Sequence, residues 1–177
     1  MFIELLRGRR SIRRYESREV EKEKIDLILE AALRAPSSRS LNPWEFIVVT
    51  DKELIEKLSR AKEHGSAFLK GAPLAVVVCA DPERCDVWVE DCSIASILIQ
   101  LQAHDLGLGS CWVQIRKRMH DSVKTAEDYV KEVLGIPDNR VVESIIGIGY
   151  SAEKKPPHPR ESLQFEKIYI NRYGERG

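Results

Sequence analysis

The chain has 177 residues, with 28 basic and 28 acidic side chains cancelling to zero net charge and charged residues making up 32% of the whole. That length buries roughly 70% of the unfolded surface in one core without staples, and the cancelled charge excludes a general attraction to nucleic acid or anionic lipid. No stretch approaches the ~20 apolar residues of a membrane span, and Met1 to Leu6 is too short and too acidic for a secretion signal, so the expectation is a cytoplasmic protein without a membrane partner.

Arginine gathers at the start: Arg7, Arg9, Arg10, Arg13, Arg14 and Arg18 all precede the first strongly helical stretch. A guanidinium is always charged and offers a planar fork of donors, so this cluster beside Ser11 suits a bound phosphate better than lysines would. The competing reading is a solvated basic arm. Val20 to Ala35 carries apolar residues at helical spacing and stops at Pro36-Ser37-Ser38, after which Ser37 to Asn42 reads as a polar loop. Trp44 to Thr50 is a short strand, and Thr50-Asp51-Lys52-Glu53 has the form of a capping box opening a helix to about Glu63.

Leu74 to Ala80 is apolar throughout, as in a central strand covered on both faces. Asp86 to Leu106 predicts a long helix, and Ile94 to Leu101 is apolar on more than one of its faces, which implies burial all round or a partner subunit. Glu90 and Asp91 at its start could serve as acid or base but read first as ordinary exposed carboxylates, favourable to the helix dipole, and His104 as a packed side chain rather than a ligand. Ser110 to Ile115 follows as a strand, Thr125 to Leu134 as a helix, Val141 to Tyr150 as a third buried strand, and a proline-rich Lys154 to Arg160 leads into an extended tail. Cys79 and Cys111 lie inside strand-like runs as small buried hydrophobes. No CxxC or HxxxH spacing points to a metal. Together the elements make a single α+β domain over 1–177 in three layers, helices on both faces of a sheet.

Five segments in this order resemble the FMN-dependent nitroreductase family over nearly the whole chain: Arg9 to Tyr15, Ala35 to Phe46, Gly107 to Val113, Ile145 to Tyr150, and Pro159-Arg160. The resemblance implies a mixed, mainly antiparallel sheet flanked by helices, and a homodimer with FMN at the subunit interface, its 163–177 tail wrapping the partner. It places Arg9, Ser11 and Arg160 on the FMN phosphate or ribityl chain, with Arg10 beside them and His158 where a lysine often stands. Arg13 falls beneath the pyrimidine end of the ring, where a cation favours the negatively charged reduced form; its alternative is a surface bridge to Glu16 or Glu19. Arg14 and Arg18 are left as solvated.

In the same family Pro36, Ser37, Ser38 and Ser40 match a loop that reaches the flavin bound by the other subunit. Asparagine is common where Ser40 stands, and glutamine where Asn42 does. Trp112, Val113 and Gln114 match the stretch along the dimethylbenzene-to-N5 side, with the Gln114 backbone N–H offered to N5; Ile115 stands where many relatives have glycine, and Ile115 to Val123 falls where a lid over the ring would lie. Taken alone, Pro-Ser-Ser is a plain helix stop and Cys111-Trp112-Val113 plain core.

The implied activity is hydride transfer from NADH or NADPH through FMN to a nitroaromatic, quinone or similar small acceptor in two half-reactions, without a protein nucleophile. Competing readings are other chemistry on the same flavin (dehalogenation, enoate reduction, flavin-modifying oxidation), a flavin carrier, and a nucleic-acid module built on Arg13-Arg14-Tyr15, which one tyrosine and a neutral chain serve poorly.

Overall fold

The computed structural model describes residues 1–175; positions 176 and 177, the last two of the tail expected over 163–177, lie outside the described residues. Nine elements follow along the chain: α1 (Phe2–Gly8), α2 (Lys22–Leu33), β1 (Trp44–Val49), α3 (Lys52–Leu58), β2 (Leu74–Ala80), α4 (Trp88–Asp105), β3 (Gly109–Gln114), α5 (Ala126–Leu134) and β4 (Val141–Gly149). Helix α1 has no counterpart in the sequence reading. It buries none of its own residues, so no apolar face marks it.

The sheet runs β1-β2-β4-β3, and each neighbouring pair is antiparallel. The mixed sheet of the expectation reduces to one parallel bridge among the described residues, between Ser11 and Ser110. Strand β2 is central and buried along its whole length, as a run apolar at every position requires. Its alternate residues feed two cores. Val76 and Val78 meet Ile28 of α2 and Ile99 of α4 on one face; Val77 meets Leu58 of α3 and Val130 of α5 on the other. The three-layer arrangement follows from that double burial.

Local chemistry sets the helix ends. Asp51, not Thr50, caps α3, its carboxylate accepting from the Leu54 N–H at 2.9 Å. The helix then stops at Leu58 rather than near Glu63, because the fully buried Ser66 hydroxyl donates to the Ser59 carbonyl at 2.9 Å and accepts from the Lys62 N–H at 3.2 Å, folding that stretch into a turn. Thr125 caps α5, and Gly135 ends it in the left-handed region at φ 67°. Beyond β4 the described residues form no further helix or strand longer than the two single helical turns Arg160–Ser162 and Phe165–Lys167. All four cysteines are buried and unpaired. No described helix is long and apolar enough to cross a membrane.

Candidate functional site

The arginine segment is laid against β3. The Ile12 N–H donates to the Ser110 carbonyl at 2.9 Å, the Glu16 N–H to the Tyr150 carbonyl at 2.9 Å, and the Ala152 N–H to the Arg14 carbonyl at 2.9 Å. Residues 11–16 therefore thread between the start of β3 and the chain leaving β4. Such closeness needs glycine: a Cβ on Gly109 would stand 2.7 Å from the Ile12 Cβ. Gly147 and Gly149, two apart and so on one face of β4, leave room first for Leu69 and Pro73 and beside them for Tyr15, whose hydroxyl donates to the Ile12 carbonyl at 2.6 Å and lies 3.1 Å from that of Gly147. Burial pushes the Tyr15 phenol well above its ordinary pKa; it is a fixed strut, not an acid.

Beside this segment opens a cleft of about 430 Å³ whose lining includes Arg9, Arg10, Ser110, Glu153, Lys154 and Lys155. Four cations converge there. The Lys155 ammonium donates to the Ser11 carbonyl at 2.7 Å and pairs with Glu153 at 3.2 Å. Glu153 accepts from the Arg13 N–H at 2.6 Å and the Arg14 N–H at 3.3 Å, and these bonds with Lys155 hold its carboxyl below the usual range. Arg10 donates to the Pro156 carbonyl. Burial raises the pKa of the Cys111 thiol, opposed by Arg13, by a hydrogen bond with Ser11, and by Lys155 and Arg9. The guanidinium of Arg13 makes no bridge to Glu16 or Glu19 but stands 5.9 Å from the Phe68 ring centre. Arg18 is not merely solvated: it pairs with Glu21 at 2.6 Å and lies 3.9 Å over the Tyr150 ring.

Strand β3 is one of the two outer strands of the sheet. In an antiparallel ladder successive residues turn their N–H and C=O alternately toward and away from the neighbour. The Ile115 N–H bonds inward to the Glu143 carbonyl, while the Ser110 carbonyl bonds outward to Ile12. By that parity Trp112 and Gln114 also face outward, and among the described residues their backbone N–H groups have no partner. Val113 faces the other way, its amide toward β4 and its side chain in the core. The Trp112 indole donates to the Gln114 side-chain oxygen at 2.9 Å.

The loop from Pro36 to Asn42 is closed on itself: Ser37 donates to the Asn42 side-chain oxygen at 2.6 Å and accepts from the Asn42 N–H at 2.9 Å. Arg39, Ser40 and Asn42 all have positive φ, between 47° and 54°, a conformation that costs most for the two that are not asparagine. The Ser38 N–H bonds to Asp91 at 2.9 Å. Asp91 is 3% exposed, contrary to the reading of a solvated helix start, because this loop and Cys85 cover it. Since the loop enters β1, three strand positions from β3, roughly 14 Å separates it from the outer edge of its own chain. The structure does not bring Pro36, Ser37, Ser38, Ser40 and Asn42 to Arg9 and Ser11 within one chain.

His158 and Arg160 stand exposed on the tail, Arg160 over the Phe165 ring at 5.7 Å, and no described hydrogen bond joins either to Arg9 or Ser11. The basic residue that reaches the arginine segment is instead Lys155, which no motif announced. The segment after β3 is pinned to the α3 and α5 side: the His120 ring stacks on Tyr129 at 4.0 Å and bonds the Arg60 carbonyl at 2.8 Å. The burial of Asp91 and Glu143 and the strut role of Tyr15 have no counterpart in the sequence reading. The alternate glycines of Gly147-Ile148-Gly149 are a signal in the string: on a strand they mark a close approach on one face, here by Leu69, Pro73 and Tyr15.

A cationic cleft at one end of an outer strand with outward amides, on a three-layer α+β fold, has the donors an anionic ligand needs. The nitroreductase family model matches residues 6–65 and 59–150. A solved structure of an FMN-dependent nitroreductase from Clostridium difficile superposes with a TM-score of 0.95 at 53% identity, covering 97% of this chain and 99% of that one. A candidate NADH dehydrogenase/NAD(P)H nitroreductase of Methanothermobacter thermautotrophicus is 38% identical over 97% of this chain and 87% of its own length. One of the same description from Archaeoglobus fulgidus is 42% identical over 86% and 87%. The chain belongs to the nitroreductase family.

Proposed function

We propose that the chain is an FMN-dependent oxidoreductase that takes hydride from NAD(P)H and passes it to a nitroaromatic, quinone or similar small acceptor, working as a homodimer with a flavin at each interface. The observation that carries this reading is the seating of the Arg9–Arg13 segment on β3. It puts cations and a hydroxyl at one end of a strand edge and the free Gln114 N–H about 13 Å away at the other, four residues along an extended chain.

That donor set fits FMN. Arg9, Ser11 and Lys155, joined by Arg10 and the tail's Arg160, would hold the phosphate; the Trp112 and Gln114 amides would lie along the ring; Arg13 would stand near its pyrimidine end. When bound, FMN supplies the two-electron chemistry at N5. The chain binds, orients the ring, places positive charge and excludes water.

Dimerisation is supported by apolar surface that one chain leaves uncovered. Phe2 and Leu6 of α1, Ile94 and Ile97 of α4, and Leu163, Phe165, Ile168 and Ile170 of the tail are all exposed. A partner covering them would also let the Ser37–Asn42 loop serve the neighbour's ring, which its distance from its own β3 requires. Visible absorption of the purified protein tests the cofactor. Titration tests its seat: Arg9→Ala and Arg160→Ala should each weaken FMN about tenfold or more, the loss of a charge-assisted bond, and riboflavin much less. Equal losses for both ligands would place these residues off the phosphate, and an active monomer in light scattering would end the shared-site reading.

A further inference from the structure

Strand β4 carries one charged side chain, Glu143, in a run otherwise apolar or small, and it is 3% exposed. It sits where the ladder is irregular: Val78 pairs with Ser144 and Cys79 with Val142, so Glu143 has no partner residue on β2. An extra residue of this kind bends a strand and re-aims its groups. Here the Glu143 carbonyl accepts from both the Ile115 N–H at 3.1 Å and the Arg116 N–H at 3.2 Å, ending β3. One carboxylate oxygen accepts from the Gln114 side-chain amide at 3.3 Å; the other has no hydrogen-bond partner.

Charge around it is unfavourable. Burial raises the pKa of the carboxyl first of all; the Gln114 bond and Arg116 oppose that, while Glu127 of α5 and Glu90 of α4 repel the charge. A buried carboxylate so placed works against stability. What it does hold is Gln114, whose side chain is fully committed: one amide hydrogen to Glu143, the other to the Arg116 carbonyl at 3.2 Å, and its oxygen to the Trp112 indole. Element ends with few contacts open most easily, and a hydrogen bond weakens steeply when its angle opens. Immediately beyond, Lys117 turns through a left-handed conformation at φ 56°, so the tie must be made at Gln114 itself.

We propose that Glu143 is a positioning residue for the flavin: through the Gln114 side chain and its own carbonyl it fixes the last residue of β3 so that the Gln114 N–H is aimed at flavin N5. The inference rests on the proposed N5 contact, and its test separates the two. Apoprotein reconstituted with FMN enriched in nitrogen-15 at N5 should show the N5 resonance displaced from that of flavin in an aprotic solvent, as for a hydrogen-bonded nitrogen. Glu143→Ala should move it toward the unbonded position and slow flavin reduction by NAD(P)H about tenfold through lost orientation. Glu143→Gln keeps an oxygen for the Gln114 amide and should retain both properties. If Glu143→Ala fails to fold, Gln114→Ala carries the same expectation, since it keeps the backbone N–H and removes the tie to Glu143 together with the side chain's bonds to Arg116 and Trp112. A displaced wild-type resonance unmoved by Glu143→Ala, or by Gln114→Ala in its place, would overturn the role of Glu143 alone. An undisplaced wild-type resonance would overturn the N5 contact and this inference with it.

Discussion

Gly109→Ala is the sharpest perturbation of the proposed phosphate clamp, because it touches no ligand. The added methyl would stand 2.7 Å from both Cβ and Cγ2 of Ile12 and 2.8 Å from Cγ1. The Ile12 Cβ is itself in the clash, so no rotamer change relieves it, and the backbone must retreat by about 0.7 Å to regain an ordinary 3.4 Å contact. Overpacking of this kind costs about 1–3 kcal/mol of stability. Its specific effect is to displace Ser11 and its flanking arginines from the edge of β3. Losing one charge-assisted bond to the phosphate, worth roughly 1.5–3 kcal/mol, weakens FMN about 10- to 100-fold. Riboflavin, which has no phosphate, should lose less. Gly147→Ala is the control: its closest contact is the far end of the Leu69 side chain, which can yield. Urea unfolding of the apoprotein gives the stability change, and fluorescence titration with both ligands gives the binding change. Wild-type FMN affinity in Gly109→Ala, or equal losses for FMN and riboflavin, would refute the argument.

Arg13→Ala should lower the FMN midpoint potential by roughly 30–60 mV, since a cation at the pyrimidine end stabilises the negative charge of the reduced ring by about 1.5–3 kcal/mol; an unchanged potential with an unchanged rate of reduction returns Arg13 to the surface. Glu21 accepts from the Tyr150 hydroxyl at 2.7 Å and pairs with Arg18, which holds its carboxyl down to about 2. A depressed carboxyl stabilises the fold fully above its ordinary value of 4.5 and loses that contribution as the pH falls toward 2. Tyr150→Phe should therefore flatten the acid limb of a stability-against-pH curve, and identical limbs would sink the assignment. All four cysteines are buried, burial pushing the Cys79 thiol up to about 12. A thiol reagent should find none in the native protein and four after denaturation, and one fast-reacting thiol would contradict the packing described.

What could be read in advance followed from residue type. The all-apolar β2 announced a central strand, because such a run is costly anywhere else. The α3 terminus could not be read: it depends on Ser66 meeting a carbonyl seven residues back. Nor could Asp91, since only the fold lays the Ser37–Asn42 loop over it. Lys155 is one of two adjacent lysines in a polar stretch, and nothing but the crossing of 153–156 over the arginine segment singles it out. Glu143 is different. A lone carboxylate in a strand buried on both faces is visible in the string itself, although its partner Gln114 is not.

The outward amides of β3 have a second consequence, for the protein's handling in solution. An exposed strand with free N–H and C=O groups is a template on which another chain can add a strand, and proteins usually blunt it with charge, proline or a bulge. Strand β1, at the opposite edge, carries Glu45 in a salt bridge with Arg140 at 2.9 Å; β3 has tryptophan and glutamine where its backbone points outward. If flavin occupies that edge, the ligand is also its guard. Chains produced faster than riboflavin is supplied should pair edge to edge and sediment, and supplementing the growth medium with riboflavin should raise the yield in the supernatant without any change in the rate of synthesis.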